Sequence, residues 1–170
     1  MAIIGIVIAA ILVIIDQVIK IAVKNNIDLY QSIDVIKIGN YKIFNLTHVL
    51  NDGAGWSIFS GKTGFLIAIT SVFLLVAVIY LFINKSKSKL LTASLSLIIA
   101  GGVGNLIDRI FRNGKVIDYI QAEFISFPVF NFADICVVFG AITLIIYIIF
   151  LENTAKKIKP DLEIKGNPDE

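Results

Sequence analysis

The chain has 170 residues, of which 57% are hydrophobic and 16% are charged, and its mean hydropathy is +0.87. An ordinary soluble domain carries roughly 25% charged residues, so the composition excludes that class, and a net charge of only +2, gathered in short lysine clusters, argues against a nucleic-acid partner. With one cysteine, Cys136, and one histidine, His48, the chain cannot form an internal disulfide or a zinc-binding helix with paired histidines, so its chemistry must come from carboxylates.

Four apolar blocks are each long enough to cross a membrane as a helix, which takes about 20 residues. They cover about 2–23, 64–84, 90–110 and 132–151. The first block follows no positively charged segment and shows no clear cleavage site, so we expect a retained span and not a signal peptide. We predict an all-α membrane bundle of four transmembrane helices that forms a single domain over residues 1–155.

Lysine clusters indicate the orientation of the bundle, because short cytoplasmic loops are rich in Lys and Arg. One cluster separates the second and third spans and the other follows the fourth: Lys85, Lys87 and Lys89, then Lys156, Lys157 and Lys159. We therefore expect both termini in the cytoplasm and the connections 24–63 and 111–131 outside. Lys20 and Lys24, at the outer end of the first span, argue weakly against this orientation. The tail 156–170, with two prolines and alternating charge, is expected to be disordered.

The first outer connection contains a hairpin signal. Two strand-like runs, VIKI at 35–38 and YKIF at 41–44, flank Gly39 and Asn40. We therefore predict a small antiparallel β-sheet, a hairpin cradle within about 31–62, that lies on the membrane surface beside the bundle.

Charged side chains inside spans are rare, because each costs about 2.5–3.5 kcal/mol near the centre. Here they gather toward the outer ends of three spans and in the adjoining loops. Asp16 and Lys20 are four residues apart and share a helix face, as in an interfacial ion pair. Asn105, Asp108 and Arg109 end the third span, where Arg109 either neutralises Asp108 or binds a carbonyl or phosphate group. We expect these side chains to have structural and positioning roles.

The segment 51–57 is a polar, glycine-rich turn that returns the chain to the membrane. It has two interpretations. It is an interfacial loop anchored by Trp56, or it is a place where a substrate backbone approaches closely, with Asn51 as hydrogen-bond donor and acceptor.

Asp118 lies within the apolar run 116–120, and Asp134 begins the fourth span. Each has an ordinary explanation, since Asp118 suits a solvated loop near Lys115 and Asp134 suits a helix N-terminus capped by Asn131. Together they also fit an aspartic-protease pair, in which an ionised carboxylate takes a proton from water and its protonated partner polarises the scissile carbonyl. The chain between them is long enough to let the two meet.

Taken together, the polar motifs resemble those of the lipoprotein signal peptidases, also called signal peptidase II, over nearly the whole chain. The resembling blocks are DQVIK at 16–20, NDGAGWS at 51–57, GGVGNLIDR at 101–109, VIDY at 116–119 and FNFAD at 130–134. The resemblance implies a bacterial inner-membrane endopeptidase that removes the signal peptide from diacylglyceryl-modified prolipoproteins, just before the lipidated cysteine. It also implies an aspartic mechanism, with Asp118 and Asp134 as the catalytic pair near the extracytoplasmic face.

The resemblance assigns further roles around this pair. The residues implied to bind substrate or to support the site are Asp16, Lys20, Asn51, Gly53, Ala54, Asn105, Asp108, Arg109 and Asn131. The family also implies a gate in the loop 119–131, no metal and no cofactor, and prolipoproteins and membrane lipids as partners, and we expect a monomer. The alternative is a small proton-coupled transporter or channel that uses the same carboxylates. Transporters typically have repeats or broken helices near the midplane, whereas the acids here gather toward one face.

Overall fold

The computed structural model describes residues 1–39, 41–55, 58–84 and 88–152. Its helices are α1 Ala2–Asn26, α2 Thr63–Ile83, α3 Lys89–Phe111 and α4 Phe132–Ile146, which continues into a π-helical segment, Tyr147–Glu152. Its strands are β1 Ser32–Ile38, β2 Tyr41–Asn51 and β3 Val116–Ala122. Several predictions concern residues outside the described ranges, namely those on Asn40, Trp56, Ser57, Lys85, Lys87 and the tail 156–170.

In the described part of the chain, four helices are long and apolar enough to cross a membrane: Ala2–Asn26, Thr63–Ile83, Lys89–Phe111 and Phe132–Phe150. Their bounds are close to those predicted from the apolar blocks, and the predicted four-span bundle with a small antiparallel sheet is confirmed. The outward faces of the helices carry exposed apolar side chains. Val72 is 62% exposed and Phe150 is 64% exposed. Such a surface suits contact with lipid, and the chain is a multi-pass membrane protein.

Helix α3 forms the centre of the bundle. Of its apolar span 56% is buried, against 17–22% for the other three helices. Small residues allow this packing, because a Cβ at Gly104 would lie 2.6 Å from Asp16 Oδ2 and one at Gly140 would lie 2.9 Å from the Ser94 carbonyl oxygen. The N-terminal half of α3 packs into the apolar core, which contains Ala9, Ala77, Leu81, Leu91, Leu95, Ile99, Ala100 and Tyr147.

Strands β1 and β2 form the predicted hairpin, and Gly39 in its turn has a φ of 60°. β3 pairs antiparallel with the other side of β2, giving the order β1-β2-β3. The prediction of a loop over 119–131 was wrong up to Ala122, because the apolar segment VIDYIQA completes the free edge of β2. The third strand therefore fixes Asp118 directly opposite Val49.

The sheet lies at the end of the bundle where α1 and α3 end and where α2 and α4 begin. A second apolar cluster joins α1 to β3 through Val23, Ile27, Ile117 and Tyr119. The polar motifs belong to the same helix ends and strands, so the fold brings them together at this end of the bundle.

Candidate active site

Asp118 is a buried carboxyl group in β3, with only 3% of the residue exposed. Asn51 Nδ2 donates to one of its oxygens at 2.9 Å and Asn131 Nδ2 donates to the other at 2.7 Å. Burial, together with the negative charge of nearby Asp134, raises the pKa of the Asp118 carboxyl to about 7. The alternative of a solvated loop aspartate is therefore wrong, and Asp118 carries a proton below about pH 7.

Asp134 is the third residue of α4 and forms a capping box with Asn131. Its backbone N–H donates to Asn131 Oδ1 at 3.0 Å, and its Oδ2 accepts from the Asn131 backbone N–H at 3.0 Å. The structural role expected for the two residues is therefore present. Its other oxygen, Oδ1, accepts a hydrogen bond from Asn105 Nδ2 at 2.7 Å, so one backbone group and one side-chain group hold the carboxyl in place.

Asn131 connects the two aspartates. It is fully buried, at 0% exposed, and it donates to Asp134 from its backbone and to Asp118 from its side chain. Because one residue binds both carboxyl groups, Asp118 and Asp134 lie close together. Their negative charges therefore repel each other when both are ionised. The chain thus brings together the two carboxyl groups that the sequence marked as a pair.

A buried ion-pair cluster stands behind the pair. Lys20 Nζ lies 2.9 Å from Asp16 Oδ2 and 3.0 Å from Asp108 Oδ2, and it donates to Asn105 Oδ1 at 3.0 Å. All three charged side chains are at most 1% exposed. Burying charges is costly unless each is paired and hydrogen-bonded, and here α1 and α3 supply complementary partners.

The carboxylates of this cluster also bind the backbone next to each aspartate of the pair. Asp16 Oδ1 accepts from the Ala133 N–H at 3.1 Å, one residue before Asp134. Asp108 Oδ2 accepts from the Ile117 N–H at 3.2 Å, one residue before Asp118. The cluster therefore fixes α4 and β3 relative to each other, and the position of the pair depends on it.

Arg109 binds a backbone carbonyl, which is one of the two roles considered for it. Its Nη2 donates to the Gly53 carbonyl oxygen at 2.8 Å and its Nη1 to the Asn105 carbonyl oxygen at 3.4 Å. The other expected role, neutralising Asp108, is taken by Lys20 and by Arg112, whose Nε lies 3.0 Å from Asp108 Oδ1. The reason is helical spacing, since Arg112 is four residues from Asp108 and shares its face.

The turn after β2 is held close to the pair. Asn51 Oδ1 accepts from the Gly53 N–H at 2.9 Å, and Asn51 Nδ2 is shared between Asp118 and the Ala54 carbonyl oxygen, at 2.9 and 3.4 Å. Together with the Arg109 contact, these bonds fix residues 51–54 as one wall of the site.

A cavity of about 730 Å³ opens beside the two aspartates. Its polar end is formed by the two aspartates and their neighbours, and the rest is apolar and comes from α2, α4 and the segment before α4. Phe73 of α2 and Phe139 of α4 line it and are 58% and 59% exposed, so its apolar part reaches the outer face of the bundle. The lining residues at and near the polar end are Asn51, Ala54, Asn105, Arg109, Asp118, Phe127, Phe130 and Asp134.

Three residues of this site were not singled out from the sequence. Gln17 Nε2 donates to Asp16, to Asp108 and to the Gly104 carbonyl oxygen, each at 3.1 Å. Arg112 completes the ion-pair cluster, and Tyr119 accepts a hydrogen bond on its hydroxyl from the Phe132 N–H at 3.1 Å. The sequence contained an indication of two of them. Gln17 is a polar residue inside an apolar span, and Arg112 stands four residues after Asp108.

Comparisons with known proteins agree over most of the chain. The family described as Signal peptidase (SPase) II matches residues 8–150. The lipoprotein signal peptidase of Clostridium acetobutylicum is 40% identical over 151 residues, or 87% of this chain and 95% of that protein. The one from Enterococcus faecalis is 42% identical over 153 residues, or 89% and 91%. A solved structure of a bacterial membrane enzyme superimposes with a TM-score of 0.79 at 32% identity and covers 98% of this chain and 94% of that chain. The chain therefore belongs to the signal peptidase II family.

Proposed function

We propose that this protein is an aspartic endopeptidase that removes the signal peptide from diacylglyceryl-modified prolipoproteins and cuts just before the lipidated cysteine. Membership of the family supports the reaction, since relatives that match most of the chain are lipoprotein signal peptidases. One observation carries the aspartic mechanism: Asn131 binds both Asp118 and Asp134 at the wall of a single cavity.

In this mechanism we assign Asp118 as the acid and Asp134 as the base. The pKa of Asp118, which burial raises to about 7, supports this assignment below about pH 7. Asp134 takes a proton from water, the water oxygen attacks the scissile carbonyl carbon, and Asp118 gives its proton to the carbonyl oxygen. The intermediate collapses when the C–N bond breaks. The proton on Asp134 passes to the leaving amine, and a hydroxyl of the intermediate returns a proton to Asp118 as the carboxylic acid forms.

The remaining site residues position the pair and the substrate. Asn51 and Asn131 orient the Asp118 carboxyl, and Asn105 orients Asp134. Gly53 and Ala54 are held by hydrogen bonds that fix their backbone near the pair. Small side chains there leave room for an extended substrate backbone. The cluster of Asp16, Lys20 and Asp108, with Arg109, keeps these elements in place.

A lipid-modified substrate enters from the bilayer between α2 and α4. Both helices pack against α3, and the cavity between them is lined by apolar side chains that are also exposed on the outer face, including Ile69 and Val138. Acyl chains suit such a wall, whereas the peptide bond must reach the polar end. Phe127 and Phe130, in the segment between β3 and α4, line the cavity beside the pair, and we assign the gate to this part of the 119–131 connection.

We place the enzyme in the bacterial inner membrane as a monomer, with both termini in the cytoplasm and the aspartate pair near the extracytoplasmic face. The positions of the connections support this orientation. The two long connections lie at the sheet end, whereas the lysine-rich connection joins the other ends of α2 and α3, and lysine-rich short loops are typically cytoplasmic. Neither the matched family nor its relatives support the alternative of a proton-coupled transporter. Cysteine labelling from outside intact cells tests this orientation, with Lys115→Cys expected to react and Lys89→Cys expected to be protected.

The activity itself is tested with purified protein in detergent and a synthetic lipobox peptide, made with and without the diacylglyceryl group on its cysteine. We expect the wild type to release a product that begins at the lipidated cysteine, identified by mass spectrometry. Cleavage of the unmodified peptide should be much slower. Asp28→Asn, at an exposed aspartate away from the cavity, serves as the matched control for Asp134→Asn. Cleavage by Asp134→Asn at the wild-type rate would overturn the aspartic mechanism.

A further inference from the structure

A second cavity, of about 540 Å³, lies where the ends of α1 and α3 meet the sheet. It shares no lining residue with the active-site cavity. Successive side chains of a strand point to opposite faces, and Ile117 lines the second cavity while Val116 and Asp118 line the first. The two cavities therefore lie on opposite faces of β3, and the proposed peptidase mechanism does not use the second one.

Two basic side chains line this second cavity, Lys24 from the end of α1 and Arg112 from the end of α3. Arg112 is held in place, because its Nε lies 3.0 Å from Asp108 Oδ1 and its Nη2 donates to Gln17 Oε1 at 3.4 Å. Lys24 forms no ion pair within the described ranges of the chain. The cavity thus combines a fixed guanidinium group with an unmatched ammonium group, which together attract an anion.

His48 adds a buried hydrogen-bond acceptor. It is 7% exposed and lines the cavity, and its Nδ1 lies 2.9 Å from the Ile27 carbonyl oxygen. A carbonyl oxygen only accepts, so Nδ1 carries the hydrogen and Nε2 of the neutral ring is an acceptor. Among the described residues Nε2 has no hydrogen-bond partner. Because buried polar atoms are nearly always satisfied by protein, water or ligand, this nitrogen can accept a hydrogen bond from a group bound in the cavity.

Most of the remaining lining is apolar, and the polar side chains of Gln17 and Asn113 complete it. Leu29 and Phe111 line the cavity and are 43% and 78% exposed. Along the helices that form it, Val18, Ile21 and Ile110 are also exposed, at 59%, 48% and 52%. A ligand in this cavity therefore meets cations and a hydrogen-bond acceptor at one side and a lipid-facing apolar surface at the other.

We infer that this cavity binds the headgroup of an anionic phospholipid that combines a phosphodiester with a free hydroxyl, as in phosphatidylglycerol. Lys24 and Arg112 bind the phosphate, and His48 Nε2 accepts a hydrogen bond from the hydroxyl. The acyl chains lie against Phe111 and the exposed side chains of α1 and α3. The inference does not rest on the proposed peptidase reaction. Arg112 also belongs to the ion-pair cluster, but Lys24 and His48 line the second cavity and not the active-site cavity.

Delipidated full-length protein in detergent tests this site by titration with phosphatidylglycerol or phosphatidylcholine, read by native mass spectrometry and by thermal stability. We expect tighter binding of phosphatidylglycerol and a higher Tm with it. Lys24→Gln should weaken that binding about fivefold, as expected for one lysine near an anionic headgroup. His48→Asn keeps a donor for the Ile27 carbonyl oxygen while it removes the Nε2 acceptor, and it should also weaken binding. Lys62→Gln, at an exposed lysine that does not line the cavity, is the matched control.

Three results would overturn the inference. Equal binding of phosphatidylglycerol and phosphatidylcholine would show that the cavity does not select an anionic headgroup. Equal losses in Lys24→Gln and Lys62→Gln would show that only overall charge matters. Full competition by glycerol 3-phosphate at the same headgroup concentration would assign the site to a soluble anion and not to a lipid. If Lys24→Gln lowers the Tm without lipid, its loss of binding could come from a damaged fold. The test then depends on whether His48→Asn weakens the binding of phosphatidylglycerol.

Discussion

At the far end of the bundle α3 packs against its neighbours with Leu95, Ile99 and Ala100, whereas at the sheet end the same helix carries Asn105 and Asp108 in contact with Lys20. In lipid no hydrophobic force drives helices together, so the far end depends on close packing of small and branched side chains. The sheet end depends on charges that must satisfy each other. One helix therefore joins an end whose stability comes from packing to an end whose polar groups surround the proposed catalytic pair.

Removing the central cation should have the largest effect on the sheet end. Lys20→Met leaves Asp16 as a buried carboxylate without its cation and leaves Asp108 with Arg112 alone, which should destabilise the fold by about 3–5 kcal/mol. Activity should be lost with it, because both carboxylates bind backbone next to the aspartate pair. Thermal unfolding in detergent measures the change, with Lys62→Met as the exposed control. An unchanged Tm in Lys20→Met would show that the cluster does not stabilise this end.

A cavity at the far end should affect stability alone. Leu95 is 4% exposed in the apolar core, and Leu95→Ala should destabilise the protein by about 2–5 kcal/mol through lost contacts. The variant that remains folded should keep its kcat, because Leu95 belongs to the apolar core at the other end of α3. Tm and single-turnover cleavage, measured on the same sample, separate the two effects. A fall in kcat with an intact fold would mean that the two ends are coupled.

The pH profile should respond to Asn51. Its hydrogen bond lowers the pKa of Asp118, so Asn51→Ala should raise that pKa further above about 7. In the proposed mechanism Asp118 is an acid that is protonated below its pKa, so activity should fall as the pH rises through that pKa. The alkaline limb of kcat/KM should therefore move to higher pH in Asn51→Ala. Thr70→Val, which changes another cavity residue, should leave the limb in place, and an unmoved limb in Asn51→Ala would contradict the role of Asp118.

Exposed charges on the sheet should have the smallest effect. Asp34 Oδ atoms lie 2.6 Å from Lys37 Nζ and 3.0 Å from Lys42 Nζ, and both lysines are 52% exposed. Hydrogen bonds from the two lysines lower the pKa of Asp34, yet exposed pairs of this kind contribute little. Asp34→Asn should leave both the Tm and the cleavage rate unchanged within error. A clear loss of either would give the hairpin surface a role not described above.

The sequence predicted the spans well because each is a long, uninterrupted apolar block, and it predicted the hairpin from the Gly39 turn. It did not predict β3, since VIDYIQA is a short apolar run whose partner strand lies far away in the chain. The sequence predicted Asp118 and Asp134 as a pair, but it did not show what brings their carboxyl groups together. In the structure, β3 and the hydrogen bonds of Asn131 do so. From the sequence we considered Arg109 alone as the partner of Asp108, although Arg112 stands four residues after Asp108 on the same helix face. The structure pairs Asp108 with Arg112 and with Lys20 of α1.

The central proposal, that Asp118 and Asp134 act as one pair sharing a proton, is tested most directly by a double-mutant cycle on kcat/KM. Asp118→Asn, Asp134→Asn and the double variant are compared with the wild type, after the fold of each is checked by its Tm. Residues that act as a unit are strongly non-additive. The double variant should therefore be no less active than either single variant, with each losing at least about a thousandfold. Losses that multiply in the double variant, or a single variant that keeps most of its activity, would contradict the pair.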